Sequence, residues 1–150
     1  RYLGDLNVSQ IMVKAKDVMT ITADRTAERA AAIMAEKKIG CLPVVDNDNC
    51  VIGIVTENDL LRVFQELLGL AAKGVRVTVR MPNRTGEFVR LMAVLAEHKW
   101  GVWGVGTYPA RKQPDYYHAV VKIGDVSEEE VRVALSTLTE HEITDIRSIV

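Results

Sequence analysis

The sequence predicts a mixed α/β fold, of the α+β kind, in which a β-α-β-β-α module precedes a βαββαβ module. Three observations predict it. Short apolar runs bounded by turn residues alternate with helical periodicity through the first half of the chain. From Val75 onward, a strand that alternates apolar and polar residues begins a different pattern. Between the two patterns, Ala71–Gly74 has no apolar anchor beyond its alanines, which indicates a boundary between domains.

The first module is predicted at residues 14–70. Residues 1–13 are weakly patterned and are expected to be a linker, partly helical at best, or the remnant of a preceding domain. The Asp24–Thr26 segment offers N-cap candidates for a helix that ends near Gly40.

Two predicted strands and a helix complete the first module. Leu42–Val45 is a short strand with Pro43 near its start or on an edge, where a missing N–H is tolerable. Cys50–Val55 is an almost fully apolar strand. A helix follows at once, with Thr56 as its N-cap candidate and Asp59 at the third helical position.

The second module is predicted at residues 74–150. Its predicted elements are the strand from Val75 to Met81, the turn Pro82–Gly86, a helix from Glu87 to about Trp100, the strands Val102–Tyr108 and Tyr116–Ile123, a helix capped by Ser127 and Glu130, and the strand Ile143–Ile149. This order predicts the ferredoxin-like arrangement of four antiparallel strands with two helices on one face. Gly101, Gly104 and Gly106 lie within a predicted strand, which favours close backbone packing over a phosphate-binding loop.

Composition excludes several functional classes. A net charge of −1 over 150 residues gives no general attraction to nucleic acid, and no apolar run approaches the roughly 20 residues of a membrane-spanning helix. Cys41 and Cys50 lack CxxC spacing and no Cys/His cluster suggests a metal, so a reduced cytoplasmic setting is expected. No nucleophile–base pair or paired carboxylates predict catalysis. Because the chain begins at Arg1, it is expected to be a fragment of something longer.

The first module resembles a CBS domain. The resemblance lies in Lys16–Thr20, in Ile39–Asp46 and in Gly53–Leu60, the last of which matches a G-h-h-[ST]-x-x-D element. It implies that Asp59 holds ribose hydroxyls and that Thr56 lies near phosphate. The implied ligand is an adenosine nucleotide (AMP, ADP or ATP) or another adenosyl compound, with no other cofactor required. The nucleotide-binding residues implied are Thr56, Asp59, Ile21, Thr22, Cys41 and Pro43.

A purely structural explanation of Thr56 and Asp59 stays open, because T-x-x-D at a helix start is also a capping box. Two departures from the family bear on the choice. The stretch between Met19-Thr20 and Ile21-Thr22 is about five residues shorter than usual, and it normally supplies contacts to adenine. CBS domains also work in pairs, and the sequence contains one, so a second is expected in a lost segment or in another chain.

The second module resembles an ACT domain from Gly74 to Val150. Its Pro82–Glu87 segment looks like the turn that often binds a small effector, commonly an amino acid, in that family. The resemblance implies Asn83 and Gly86 as effector-binding residues. Ordinary turn chemistry is the alternative, with Asn83 as a cap and Gly86 supplying a backbone conformation that other residues avoid.

Together, the modules predict a non-enzymatic regulatory protein that senses a ligand. The order of CBS and ACT domains resembles that of bacterial acetoin-utilisation-type proteins. The expected partners are the nucleotide, a second copy of the chain and an unidentified regulated protein, with no nucleic acid and no membrane. Trp103 and Tyr108 are candidate contacts in a homodimer. The alternative is a ligand-free structural adaptor that dimerises and docks a partner protein.

Overall fold

The computed structural model of the protein describes residues 6–69 and 73–149. The chain divides between Arg62 and Val63 into two compact units. Ala71 and Ala72, half of the predicted boundary at Ala71–Gly74, lie outside the described residues, so that linker stays a prediction. The mixed α/β class is confirmed.

The first unit contains three strands, one complete helix of 11 residues and the start of another. Its elements are α1 (Val8–Ile11), a 3-10 turn (Ala15–Asp17), β1 (Ile21–Thr22), α2 (Ala27–Lys37), β2 (Cys41–Val45), β3 (Val51–Thr56) and α3 (Glu57–Leu67), whose last residues belong to the second unit. Thr26 caps α2, because its hydroxyl accepts a hydrogen bond from the Arg29 N–H at 3.3 Å. The predicted helix start is therefore confirmed.

The three strands of the first unit form a sheet in the order β1-β2-β3. β1 is parallel to β2, and β2 is antiparallel to β3. Pro43 is the middle residue of β2, the central strand in the sheet order, and it still lies at an edge, as expected, because β1 does not reach it. β1 pairs only with Val44 and Val45, so within the described residues no strand flanks this side of β2 at Pro43, and the missing N–H of Pro43 removes no bond to β1.

β3 exposes most of its apolar side chains. Val51, Ile52 and Ile54 are 69%, 58% and 61% exposed. An almost continuous apolar strand usually has both faces covered. The described part of the first unit does not provide that cover.

The second unit holds two complete helices and four strands. Its elements are β4 (Gly74–Pro82), α4 (Glu87–Glu97), β5 (Val102–Pro109), β6 (Tyr116–Ile123), α5 (Glu128–Leu135) and β7 (Glu142–Ile149). The strands lie in the order β5-β6-β4-β7, and every neighbouring pair is antiparallel. This is the predicted βαββαβ topology. The helix predicted to reach Trp100 ends earlier, at Glu97.

One face of this sheet packs against both helices. The alternate β4 residues Val75, Val77, Val79 and Met81 are all at most 1% exposed. They form a core with apolar residues of β6, α4 and α5. The capping box predicted for α5 is present, since the Ser127 hydroxyl accepts from the Glu130 N–H and the Glu130 carboxylate accepts from the Ser127 N–H at 2.8 Å.

The helices of the described segments are too short, or too polar, to cross a bilayer.

Candidate functional site

Thr56 and Asp59 form a complete capping box at the start of α3. The Thr56 N–H and hydroxyl both donate to Asp59 Oδ2, at 3.0 and 2.7 Å. The Asp59 N–H donates back to the Thr56 hydroxyl oxygen at 3.3 Å. The structural explanation left open by the sequence is therefore realised in the molecule. It uses only one oxygen of the Asp59 carboxylate.

The second oxygen of Asp59 faces a cation. Arg62 donates to Oδ1 at 2.7 Å, and the Asp59 side chain is 40% exposed. Hydrogen bonds from the Thr56 hydroxyl and N–H, together with the charge of Arg62, lower the pKa of Asp59 from its ordinary value. The carboxylate is thus ionised at neutral pH, and its side chain is partly exposed, as an acceptor of sugar hydroxyls requires.

The register of β2 and β3 brings Cys41 next to this box. Cys41 pairs with Thr56 across the sheet, and Pro43 pairs with Ile54. Cys41 is exposed, and its neighbour Gly40 accepts a hydrogen bond from the Glu57 N–H at 3.0 Å. The end of β2 is therefore joined directly to the first turn of α3.

Ile21 and Thr22 lie at the other end of β2, opposite Val44 and Val45. Ile21 is 8% exposed, and the Thr22 hydroxyl donates to the Asp24 carboxylate. Cys41 and Val44 are three positions apart along the strand, which is about 10 Å. The predicted nucleotide residues thus form two groups, which lie along one strand without meeting in one cluster.

A polar pocket beside Thr22 contains two residues that the sequence reasoning missed. Arg25 and Arg29 line it together with Thr20, Thr22 and Asn47. The available signal was their position around the Thr26 cap: Arg25 comes directly before it, and Arg29 lies in the first turn of α2.

In the second unit, Gly86 and Asn83 have different roles. Gly86 is the N-cap residue of α4 with a φ of +94°, a conformation that favours glycine, so the turn interpretation holds for it. Asn83 is exposed and its N–H donates to the Asp115 carbonyl at 2.8 Å. The N-cap position of α4 belongs to Gly86, so the expectation of Asn83 as the cap is wrong.

Beside this turn lies a buried carboxylate that the sequence reasoning did not select. The Glu87 side chain is 7% exposed and accepts from Arg84 at 2.7 Å and from Arg90 at 3.0 Å. His141, whose side chain is 1% exposed, lies 3.7 Å from Glu87 Oε2. Hydrogen bonding from Arg84, followed by the charges of Arg84 and Arg90, lowers the pKa of Glu87. The R-x-x-E-x-x-R spacing was the signal in the sequence, whereas His141 is 54 residues away.

Comparison with known proteins identifies the first module. Residues 8–66 match the family model described as the CBS domain. The chain contains a CBS domain. The matched range includes Thr56, Asp59 and the other residues predicted to bind nucleotide.

The curated relatives contain much more than this CBS domain. The chain is 43% identical over 60 residues to a homoserine O-acetyltransferase of Methanohalobium evestigatum, covering 40% of this chain and 12% of that protein. It is 34% identical over 96 residues to an uncharacterised protein of Methanocaldococcus jannaschii, covering 61% and 21%. It is 42% identical over 45 residues to an inosine-5'-monophosphate dehydrogenase of the same organism, covering 30% and 9%.

The chain thus spans about a fifth or less of the length of these relatives. The alignments with the two enzymes are about as long as the CBS domain or shorter. They indicate a related CBS domain and carry no information about a reaction.

Proposed function

We propose that this chain is a non-enzymatic regulatory protein whose CBS domain binds an adenosine nucleotide. CBS domains commonly act as regulatory ligand sensors. The observation that carries the proposal is the Thr56–Asp59 box at the start of α3, whose partly exposed carboxylate keeps Oδ1 outside the box. The partial positive charge of a helix N-terminus favours phosphate at the same place.

The sheet supports an extended ligand. β1 covers only Val44 and Val45, so the edge of β2 from Cys41 to Pro43 is uncovered by a strand. This edge runs from the α3 box to the Ile21–Thr22 strand over about 10 Å. We propose that the sugar and phosphate lie at the box and that adenine lies toward Ile21 and Thr22. Ribose hydroxyls then replace Arg62 at Asp59 Oδ1.

We further propose that the CBS domain pairs with a second CBS domain, supplied by another copy of the chain. The exposed side chains of Val51, Ile52 and Ile54 support this. A contiguous apolar patch on a strand usually indicates an interface. The same patch is the observation that favours the alternative, a ligand-free adaptor that dimerises and docks a partner.

For the second unit we propose an ACT-type effector module. Its support is the βαββαβ order of its elements and the Pro82–Gly86 turn. α4 begins directly after this turn, and its N-cap residue Gly86 has a positive φ. Pro82, Asn83, Asp115 and Tyr116 line an open pocket at this turn. An amino-acid-like effector is the class proposed for it.

Calorimetric titration of the whole chain with AMP, ADP and ATP tests the nucleotide site. We expect Asp59→Asn to weaken binding at least tenfold, because Asn keeps the size and one carbonyl oxygen but loses the charge. Glu66→Gln, a matched loss of one carboxylate in the same helix, is expected to bind like the parent. Equal affinity of parent and Asp59→Asn, or no binding by the parent, would leave the adaptor as the better explanation.

A further inference from the structure

The connection between β5 and β6 borders an open cavity of about 510 Å³. Its walls come from the end of β5, from residues 110–113 of the connecting loop and from His118 of β6, with Arg80 of β4 beside them. All of these residues belong to the second unit. None of them lines the pocket that contains Asn83, and none belongs to the predicted nucleotide site. The proposed function therefore does not use this cavity.

Tyr108, His118 and Arg80 lie side by side across three strands at the cavity. Tyr108 pairs with His118 in the register of β5 and β6, and His118 pairs with Arg80 on β4. The rings of Tyr108 and His118 stack, with 4.9 Å between their centroids and 19° between their planes. Arg80 donates to Gln113 at 2.7 Å and to the Glu142 carboxylate, so its charge is already compensated. The cavity thus has an aromatic wall, and Arg80 is not the cation that a ligand would meet.

Two other cations line the cavity, Arg111 and Lys112. Among the residues that the structure describes, neither side chain forms an ion pair or a hydrogen bond, and both residues are exposed. No aspartate or glutamate is among the described residues that line the cavity. A concave surface that carries one sign of charge beside low-dielectric walls concentrates ions of the opposite sign. The cavity is therefore expected to attract an anion through these two side chains.

His118 contributes a hydrogen-bonding atom that the protein does not satisfy. Its Nδ1 is buried and has no hydrogen-bond partner in the described part of the chain. Buried polar atoms without a partner are uncommon in folded proteins. Since no described residue bonds this nitrogen, stacking on Tyr108 is the contact that orients the ring. Rotation about the Cβ–Cγ bond would turn Nδ1 toward the cavity, where its N–H can donate to an oxygen of a bound anion.

We propose that this cavity binds an aromatic carboxylate. The carboxylate lies between Arg111 and Lys112, whose charges strengthen hydrogen bonds to its oxygens. The ring of the ligand lies against Tyr108 and His118, because aromatic rings attract one another in offset-stacked and edge-to-face contacts. At roughly 30 Å³ per water-sized group, the cavity has room for about 13 heavy atoms, so a fused two-ring acid such as 2-naphthoate fits.

Amide chemical-shift titration of the whole ¹⁵N-labelled chain with 2-naphthoate tests the proposal. We expect saturable shifts at the amides of Ala110, Lys112 and His118. Cyclohexanecarboxylate keeps the charge without the aromatic ring, and 2-naphthylmethanol keeps the ring without the charge. Each should bind at least fivefold more weakly, because each loses one of the two kinds of contact. Added NaCl should weaken the binding of 2-naphthoate and leave that of the alcohol unchanged, since salt screens exposed charges.

Variants of exposed side chains locate the binding. The double variant Arg111→Gln/Lys112→Gln should weaken 2-naphthoate binding at least fivefold and leave the binding of 2-naphthylmethanol unchanged. Tyr108→Leu should weaken 2-naphthoate binding and leave that of cyclohexanecarboxylate unchanged. The matched control Arg132→Gln/Lys73→Gln removes one arginine and one lysine from exposed positions of the same unit, and should bind 2-naphthoate like the parent. Asn83→Ala, in the neighbouring pocket, should also bind it like the parent.

Any of four results would overturn the proposal. Equal affinity for 2-naphthoate and 2-naphthylmethanol would show that the carboxylate makes no contact, and equal weakening by the two double variants would show attraction by net charge alone. A loss of binding in Asn83→Ala would place the ligand in the pocket of the proposed effector. Amides that respond to protein concentration and not to 2-naphthoate would show that a second copy of the chain covers Tyr108.

Discussion

The two sheets of this protein differ in how fully the chain covers them. The four-stranded sheet of the second unit has a helix-covered face, on which the inward residues of β4 and β6 are almost completely buried. The three-stranded sheet of the first unit has fully buried Leu42 at its centre, yet β3 leaves its apolar residues exposed. Large exposed apolar patches are uncommon on monomers and usually mark interfaces. The comparison teaches that the second unit buries one face of its sheet within itself, whereas the described part of the first unit leaves apolar side chains of β3 uncovered.

The largest expected effect lies in the complete core. Leu91→Ala on α4 should lower the free energy of unfolding by about 2–5 kcal/mol, because Leu91 is 0% exposed and its loss leaves a cavity. Val89→Ala on the same helix, at 67% exposure, should change it by at most about 0.5 kcal/mol. Urea unfolding followed by circular dichroism measures both. Similar values for the two variants would contradict the assignment of the core.

The second effect concerns the incomplete sheet. Ile54→Lys should weaken self-association at least tenfold in sedimentation equilibrium, because a charge would be buried in the proposed interface. Val133→Lys, at a 61% exposed apolar position of α5, serves as the control and should associate like the parent. If the Ile54 variant associates as strongly as this control, β3 is not an interface between copies.

A smaller effect compares the two capping boxes. Thr56→Ala and Ser127→Ala each remove an N-cap hydroxyl, which typically costs about 1 kcal/mol. We expect Thr56→Ala to increase hydrogen exchange in α3 and Ser127→Ala to increase it in α5. Thr85→Ala, at an exposed turn position, should leave both helices as protected as in the parent. Uniform loss of protection throughout the chain would show that the two units unfold together.

The smallest effect is the dependence of stability on pH. The Ser127 hydroxyl and N–H lower the pKa of Glu130, as Thr56 does for Asp59. The pKa of each of these two carboxyl groups is lower in the folded protein than in the unfolded chain. Each carboxylate therefore stabilises the folded protein fully above its unfolded pKa, and this stabilisation is lost as pH falls through its folded pKa. The melting temperature should therefore fall as pH decreases from about 5 toward 2. Glu130→Gln should flatten this decrease, and an unchanged slope would contradict the role of Glu130.

Local signals in the sequence were sufficient for most elements. The caps at Thr26, Thr56 and Ser127 involve partners within three residues, so their spacing predicted the starts of α2, α3 and α5. The alternation from Val75 to Met81 likewise predicted which side of β4 is buried, because successive strand residues point to opposite faces. The sequence by itself thus determined the order of elements, the inward residues of the second sheet and the candidate residues at the start of α3.

Strand order, register and contacts between distant segments were decided only by the tertiary structure. The place of Pro43 depends on β1 pairing only with Val44 and Val45, so that the central strand keeps an edge at Pro43, a fact that no local pattern encodes. The approach of His141 to Glu87 joins two segments far apart in the chain, and the opposition of Arg76 and Lys122 depends on the pairing of β4 with β6. Residues so far apart along the chain meet only after the sheet has formed, and the free energy of their contacts depends on geometry that local propensity does not contain.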